Sequence, residues 1–239
     1  MMRCFLLAFF VSCLACQDMD NFPERVDKLR AIGVRLDKGS YVPSTSDSAQ
    51  TITLTFILSS PDKNAAMTPS PVSLEGGVFL DIPSVTEVAS EDFEQLRVSS
   101  FQAVAAIPPA ENLFFDEEGV ALVSYGYQFS QGGEVEIVRG RVKIYKVDPE
   151  LSPPKISISS PSAADSTAAA AAVLKAEVSN TTEEPYRIGW FVAEGEVPQR
   201  RALEADWEKV TPGVKTVIVT VRGLRNFGFD YQALDVTLN

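Results

Sequence analysis

Short segments of alternating apolar and polar residues restrict the fold of this 239-residue chain more than any other feature. From Thr51 to Leu58, isoleucine, leucine and phenylalanine occupy every second position, and threonines fill most of the positions between them. Because successive side chains of a strand point to opposite faces, this pattern predicts a half-buried β-strand. The same alternation returns along the chain, so the sequence predicts an all-β fold.

Turn signals separate the alternating segments, as is typical of β-sandwiches. The glycine pair Gly132-Gly133 predicts a hairpin turn, and a slip in the apolar phase after Ile137 predicts a bulge near Gly140. Strands are predicted over 29–37, 51–58, 78–82, 96–107, 119–129, 134–147, 155–160, 168–178, 186–194, 214–222 and 228–238.

A proline-rich segment, 149–154, divides these strands into two groups. Its three prolines disfavour ladder hydrogen bonds and favour a stiff extended linker. Each group opens with a short strand and closes with a hairpin, which reads as a weak internal repeat. We therefore predict an enlarged β-sandwich over 29–148 and a second one over 155–239.

A tryptophan in the second group indicates the kind of sandwich. Trp190 lies in the predicted strand 186–194, and Gly213 precedes a late alternating strand. This arrangement resembles Ig-like domains of the PKD or bacterial Ig type, which implies two Ig-like sandwiches in tandem. No cysteine pair flanks Trp190, so the resemblance does not extend to antibody-type domains.

The first sixteen residues read as a targeting segment. Arg3 precedes an apolar run that ends at Cys16, and the chain then becomes polar. The run is shorter than the roughly 20 apolar residues that span a bilayer. The small residue Ala15 before Cys16 resembles the lipobox of bacterial lipoproteins. The resemblance implies a signal peptide over 1–16 and a lipid-modified Cys16, with Cys13 as the alternative.

The lipobox also implies a location. By the sorting rule of enterobacterial lipoproteins, a residue other than aspartate after Cys16 directs the protein to the outer membrane of a Gram-negative bacterium. Several acyl chains would hold the protein to that membrane, and residues 17–28 would form a polar tether. The periplasmic and the surface side both remain open.

Composition excludes several classes of function. The chain has no histidine, and its 3 cysteines all lie within the first sixteen positions. Histidine-dependent catalysis and metal centres built from histidine or cysteine are therefore excluded from the body. The net charge of -11 argues against nucleic acid as a partner. Hydrolysis by paired carboxylates needs no histidine and stays an alternative.

Two neighbouring features near the end of the first group are candidate sites. Asp116, Glu117 and Glu118 offer carboxylates to Ca²⁺, although their spacing differs from that of an EF-hand. The alternative is that these three residues form a solvated loop and that the protein has no cofactor.

Phe114 and Phe115 are adjacent, so in an extended loop one of them points outward. They form either a docking point for a protein or glycan, or a plug over the open end of the sandwich.

Trp207 is the third candidate, because it stands between two acidic residues and is either packed or an exposed binding aromatic.

The overall prediction is a non-catalytic cell-envelope lipoprotein that serves as a binding or structural module. Its expected partners are the membrane and other envelope proteins or glycans. The alternatives are an accessory subunit that joins neighbours through strand edges, or a carboxylate-dependent hydrolase.

Overall fold

The fold is known from a computed structural model. The structure describes residues 25–45, 48–161, 166–167, 172–179 and 185–239. The predicted signal peptide, Cys16 and the first residues of the strand predicted over 168–178 lie outside these ranges. Within them the regular elements are strands, apart from a 3-10 turn at Ala110–Asn112, and no helix there has the length and apolarity needed to cross a membrane.

The first sandwich places four strands in one sheet and the remaining strands in the other. The sheet orders are β1-β2-β6-β5, and β8-β7 with β3 and β4 sharing the second edge of β7. This is the strand order of constant-type Ig domains, with the third position divided between β3 and the parallel β4. The strands are β1 (Arg30–Leu36), β2 (Thr51–Ser60), β3 (Thr68–Pro71), β4 (Val78–Phe79), β5 (Thr86–Asp92), β6 (Arg97–Ala106), β7 (Val120–Gln131) and β8 (Glu134–Tyr145).

The second sandwich has a three-stranded and a four-stranded sheet. Its strands are β9 (Lys155–Ser160), β10 (Ser166–Thr167), β11 (Val173–Ser179), β12 (Tyr186–Val192), β13 (Glu204–Asp206), β14 (Gly213–Gly223) and β15 (Phe229–Leu238). The orders are β13-β11-β9 and β10-β15-β14-β12, with β10 parallel to β15. This order is Ig-like as well, so the predicted all-β fold with two Ig-like sandwiches is confirmed.

The predicted alternation determines which faces pack. In β2 the even-numbered residues from Ile52 to Leu58 are buried in the first core, and in β14 the odd-numbered residues from Val217 to Val221 are buried in the second. Trp190 of β12 is fully buried in the second core, where its Nε1–H donates to Ala202 O at 2.8 Å. This bond satisfies the one polar atom that a buried indole carries.

A third apolar group, here called the interdomain cluster, joins the two sandwiches. It packs the outer face of the sheet that contains β1, β2 and β6 against the outer face of the sheet that contains β12, β14 and β15. Its buried members are Val26 from the N-terminal segment, Ile32, Ile57, Phe93, Leu96 and Val98 from the first sandwich, and Phe191, Ile218 and Phe229 from the second. The two sandwiches therefore pack on one another and are not connected by the linker alone.

Polar contacts surround the interdomain cluster. The Gln95 N–H donates to Thr216 Oγ1, and the Thr216 N–H donates to Gln95 Oε1, both at 3.1 Å. Arg35 Nη2 lies 2.6 Å from Asp230 Oδ1. The Val26 N–H donates to the Val192 carbonyl at 2.8 Å. Residues 25–28, which we predicted as the end of the polar tether, therefore belong to the folded structure.

The predicted bulge near Gly140 is wrong. The pairing of β7 with β8 runs without a register shift from Val120↔Tyr145 to Gln131↔Glu134. The apolar phase changes because Ile137 is exposed on the outer face of β8. Glycine at position 140 is explained by packing and not by a bulge. Gly140 stands opposite Tyr125, and a side chain at this position would overlap the tyrosine ring.

Candidate functional site

The loop that carries the two predicted phenylalanines turns one of them outward. Leu113 is buried, Phe114 is 87% exposed, and Phe115 is half-buried against the first core. The Lys146 Nζ lies 5.1 Å from the centroid of the Phe115 ring. This is the alternation of an extended segment, so Phe115 is a packing residue and Phe114 is available for contact.

The acidic residues that follow form a turn and not a metal cage. Asp116 Oδ1 accepts hydrogen bonds from the Glu118 N–H at 3.0 Å and the Val120 N–H at 2.8 Å. Gly119 takes a φ of 75°, which closes the turn into β7. Glu117 and Glu118 are exposed. No group of three or more acidic or cysteine side chains in the described residues could hold a metal ion, so the calcium hypothesis for Asp116, Glu117 and Glu118 gains no geometric support.

Trp207 is buried, so its interpretation as an exposed binding residue is wrong. It is 2% exposed and packs in the second core. Its Nε1–H donates to Glu194 O at 2.9 Å. The reason is alternation at the end of β13, where Ala205 and Trp207 point inward while Asp206 and Glu208 face solvent. Phe115 and Trp207 therefore belong to different cores and form no common surface.

An ion pair holds the backbone around Trp207. The Lys215 Nζ lies 2.6 Å from Glu194 Oε2, and the Thr211 N–H and hydroxyl both donate to Glu194 Oε1, at 2.9 and 2.7 Å. The hydrogen bond from Lys215, with those from Thr211, lowers the pKa of Glu194 to about 2. The carboxylate is therefore ionised at neutral pH and has a structural role.

A groove at the junction of the sandwiches was not predicted from the sequence. Its volume is about 200 Å³, and it is lined by Arg187, Arg200, Arg201 and Arg222 together with apolar side chains. A signal for it exists in the sequence, since five of the nine basic residues after Pro153 are arginines from Arg187 to Arg225. Spacing alone could not show that four of them meet.

Comparisons with known proteins concern the fold only. No protein-family model and no curated protein matches the chain. Among solved structures, the fibronectin(III)-like modules of CbhA from Clostridium thermocellum share 13% identity over 86% of this chain and 94% of that one, with a TM-score of 0.33. The mouse nectin-like molecule 4 ectodomain (Ig1–Ig3) shares 12% identity over 87% of this chain and 66% of that one, with a TM-score of 0.27.

A third solved structure is a catalytic protein. The endo-fucoidan hydrolase MfFcnA4 H294Q of glycoside hydrolase family 107 shares 10% identity over 87% of this chain and 29% of that one, with a TM-score of 0.27. These low values transfer no function to the present chain.

Proposed function

We propose that the protein is a non-catalytic lipoprotein of the cell envelope, anchored in the outer membrane through Cys16, and that it binds a partner protein through Phe114. The observation that carries the proposal is the 87% exposure of Phe114 on a loop whose neighbours are fixed. Burying a phenylalanine side chain is worth about 1.5–3 kcal/mol. A partner that covers Phe114 would gain this free energy without first having to order the loop.

The surroundings of Phe114 favour a protein partner with a basic rim. Asp116 to Glu118 follow directly, and their exposed carboxylates would face basic residues around an apolar pocket. Val147 is also exposed, next to the Lys146 that contacts the Phe115 ring. Phe114 therefore offers a small apolar point that is followed directly by exposed carboxylates.

The non-catalytic part of the proposal is supported by the chemistry of the side chains. Histidine is absent from the chain. In the described ranges the Asp116 carboxylate accepts hydrogen bonds within its own turn, and no acidic group of three gathers into one site. The ionised Glu194 is bound to Lys215 and Thr211.

Photo-crosslinking in the source organism tests this function. A benzoylphenylalanine placed at Phe114 is expected to give a discrete protein adduct. The same group placed at Val88, which is exposed on β5, is the matched control and is expected to give none. Equal adducts from both positions, or none from either, would contradict a protein contact at Phe114. An adduct with a protein of a stable complex would favour the accessory-subunit role.

A further inference from the structure

The outer face of the hairpin formed by β7 and β8 carries no acidic side chain. The residues that point away from the core are the even-numbered ones from Val120 to Ser130 and the odd-numbered ones from Val135 to Tyr145. None of them is an aspartate or a glutamate, although the whole chain has 32 acidic residues and a net charge of -11. A negatively charged surface therefore repels this face of the hairpin less than it repels the protein as a whole.

The open part of this face lies on β8. Val135 is 56% exposed, Ile137 is 43% exposed, and Arg139 is exposed as well. Within the described part of the chain Arg139 forms no ion pair or hydrogen bond. The half of the face on β7 is partly covered, because Leu74 lies over Gly126, where a Cβ would come within 2.9 Å of the Leu74 Cδ2. The three β8 residues, here called the β8 strip, combine two apolar side chains with one cation.

Farther along β8, the outward side chains already contact the protein. The Lys143 Nζ lies 5.1 Å from the centroid of the Phe227 ring in the second sandwich. The Tyr145 hydroxyl donates to the Arg225 carbonyl at 3.4 Å, and Arg141 has interactions of its own. The β8 strip is the end of the face that these contacts leave open.

The N-terminal chain enters the fold beside the β8 strip. The Leu29 N–H donates to Glu134 Oε2 at 2.6 Å, so the chain passes the residue directly before Val135. Nine residue steps separate Cys16 from Arg25, where the described chain begins, and they reach about 30 Å at most when fully extended. A lipid on Cys16 would therefore hold the entry of the chain, and the neighbouring end of β8, close to the bilayer.

We propose that the β8 strip lies against the lipid surface in which the protein is anchored. Val135 and Ile137 would enter the headgroup region, and the Arg139 guanidinium would donate two parallel hydrogen bonds to a lipid phosphate. The loop of Phe114, at the opposite end of β7, would remain free for a partner. This inference rests on the lipid anchor of the proposed function and names the surface of the protein that faces the membrane.

Fluorescence quenching of the lipid-anchored protein in vesicles tests this proposal. The chain from Gln17 onward has no cysteine, so Ile137→Cys can carry an environment-sensitive fluorophore. Val88→Cys on β5, where the valine is 52% exposed, carries the same fluorophore as the matched control. The vesicles contain phosphatidylethanolamine, phosphatidylglycerol and a lipid with a nitroxide on its headgroup as the quencher. The label at Ile137 is expected to be quenched more than about twofold as strongly as the label at Val88, because only the former would enter the interface.

Charge reversal assigns the contact to the β8 strip. Each basic charge near an anionic membrane strengthens the contact about fivefold, so Arg139→Glu is expected to lower the quenching at Ile137 to the level of the Val88 label. Arg139→Lys keeps the charge and is expected to keep most of the quenching. Lys38→Glu, in the exposed loop after β1, changes the net charge equally and is the matched control, with quenching unchanged. Melting curves verify that each variant folds, and Arg139→Gln replaces Arg139→Glu if that variant does not.

Flotation of the same vesicles separates the two ways in which the account can fail. A protein that does not float with the vesicles contradicts the lipid anchor, and with it both proposals. A protein that floats but shows equal quenching at Ile137 and Val88 overturns the β8 strip alone. A label at Ile137 that is shielded from water but not quenched would mean that a second copy of the protein covers the strip. Equal losses in Arg139→Glu and Lys38→Glu would mean that net charge, and not the strip, brings the protein to the lipid; each of these two results would also overturn the proposal.

Discussion

Replacing Val98 by alanine removes apolar surface from the interdomain cluster and leaves both sandwich cores intact. Val98 lies on the outer face of β6 and is 4% exposed, whereas Val104, on the same face of the same strand, is 52% exposed. Val104→Ala is therefore a matched control. Both variants replace a valine by alanine on the same face of the same strand. They differ in whether the second sandwich covers the side chain.

The structure sets the size of the expected difference. Valine to alanine removes two methyl groups, and each buried carbon contributes about 0.8 kcal/mol. The space left behind in the interdomain cluster adds to this loss, so we expect Val98→Ala to cost about 2 kcal/mol. Any strand-propensity cost of alanine is common to both variants and cancels in the comparison. Apart from this strand-propensity cost, Val104→Ala is expected to change the free energy of unfolding by less than about 0.5 kcal/mol.

Thermal unfolding followed by calorimetry measures this difference. For a protein of this size, about 2 kcal/mol corresponds to a melting temperature about 4–8 °C lower. Val98→Ala is thus expected to melt several degrees below Val104→Ala. If the two variants melt together, the second sandwich does not cover β6 and the interdomain cluster does not form in solution.

Three further predictions concern the phenylalanine pair, the cysteine of the predicted lipobox and the ion pair of Glu194. Phe115→Ala is expected to cost up to about 3 kcal/mol in urea unfolding, and Phe114→Ala less than about 0.5 kcal/mol because Phe114 is exposed; the reverse order would show that Phe114 is the packed residue. Cys16→Ser is expected to abolish labelling by radioactive palmitate while Cys13→Ser keeps it, and the opposite result would assign the lipid to Cys13. The contacts of Glu194 lower its pKa from the ordinary 4.5 to about 2, so their contribution is complete above pH 4.5 and lost as pH falls towards 2. The free energy of unfolding of Glu194→Gln, measured as a function of pH, is expected to lack this part of the acid dependence. If the free energy of unfolding depends on pH in the same way in the variant and the wild type, the ion pair is refuted.

Strand alternation was sufficient to predict most of the sheets, and its failures have local causes. β3 contains Pro69 and Pro71, which normally argue against a strand, but it pairs with only one neighbour, β7. All seven residues of β5 are exposed, so this edge strand has no alternation to detect. Long strands with one buried and one more open face, such as β7, carry the clearest pattern.

The contact between the sandwiches has a signal that is visible only in retrospect. Ile57 and Ile218 stand on the faces opposite the cores, and both are buried in the interdomain cluster. Apolar residues on both sides of a strand indicate that both faces are covered. Which surface covers them depends on how two distant sheets meet, and a linear pattern does not contain that information.

The candidate sites divide in the same way. Adjacent phenylalanines in an extended loop must diverge, so the outward position of one of them could be predicted from local geometry. Trp207 could not be assigned, because its burial depends on the register of β13 against β11. The meeting of Arg187 with Arg222 likewise depends on the register of β12 against β14.

The packing of the two Ig-like sandwiches on one another through the interdomain cluster is the central claim. The chain from Gln17 onward has no cysteine, so spin labels can be placed on Thr86→Cys of β5 and Glu177→Cys of β11, both exposed. Pulsed electron paramagnetic resonance then measures the distances between the sandwiches. We predict one narrow distance distribution, because the interdomain cluster holds the two sheets together. A broad distribution would show that the sandwiches move independently about the proline-rich linker and would contradict the claim.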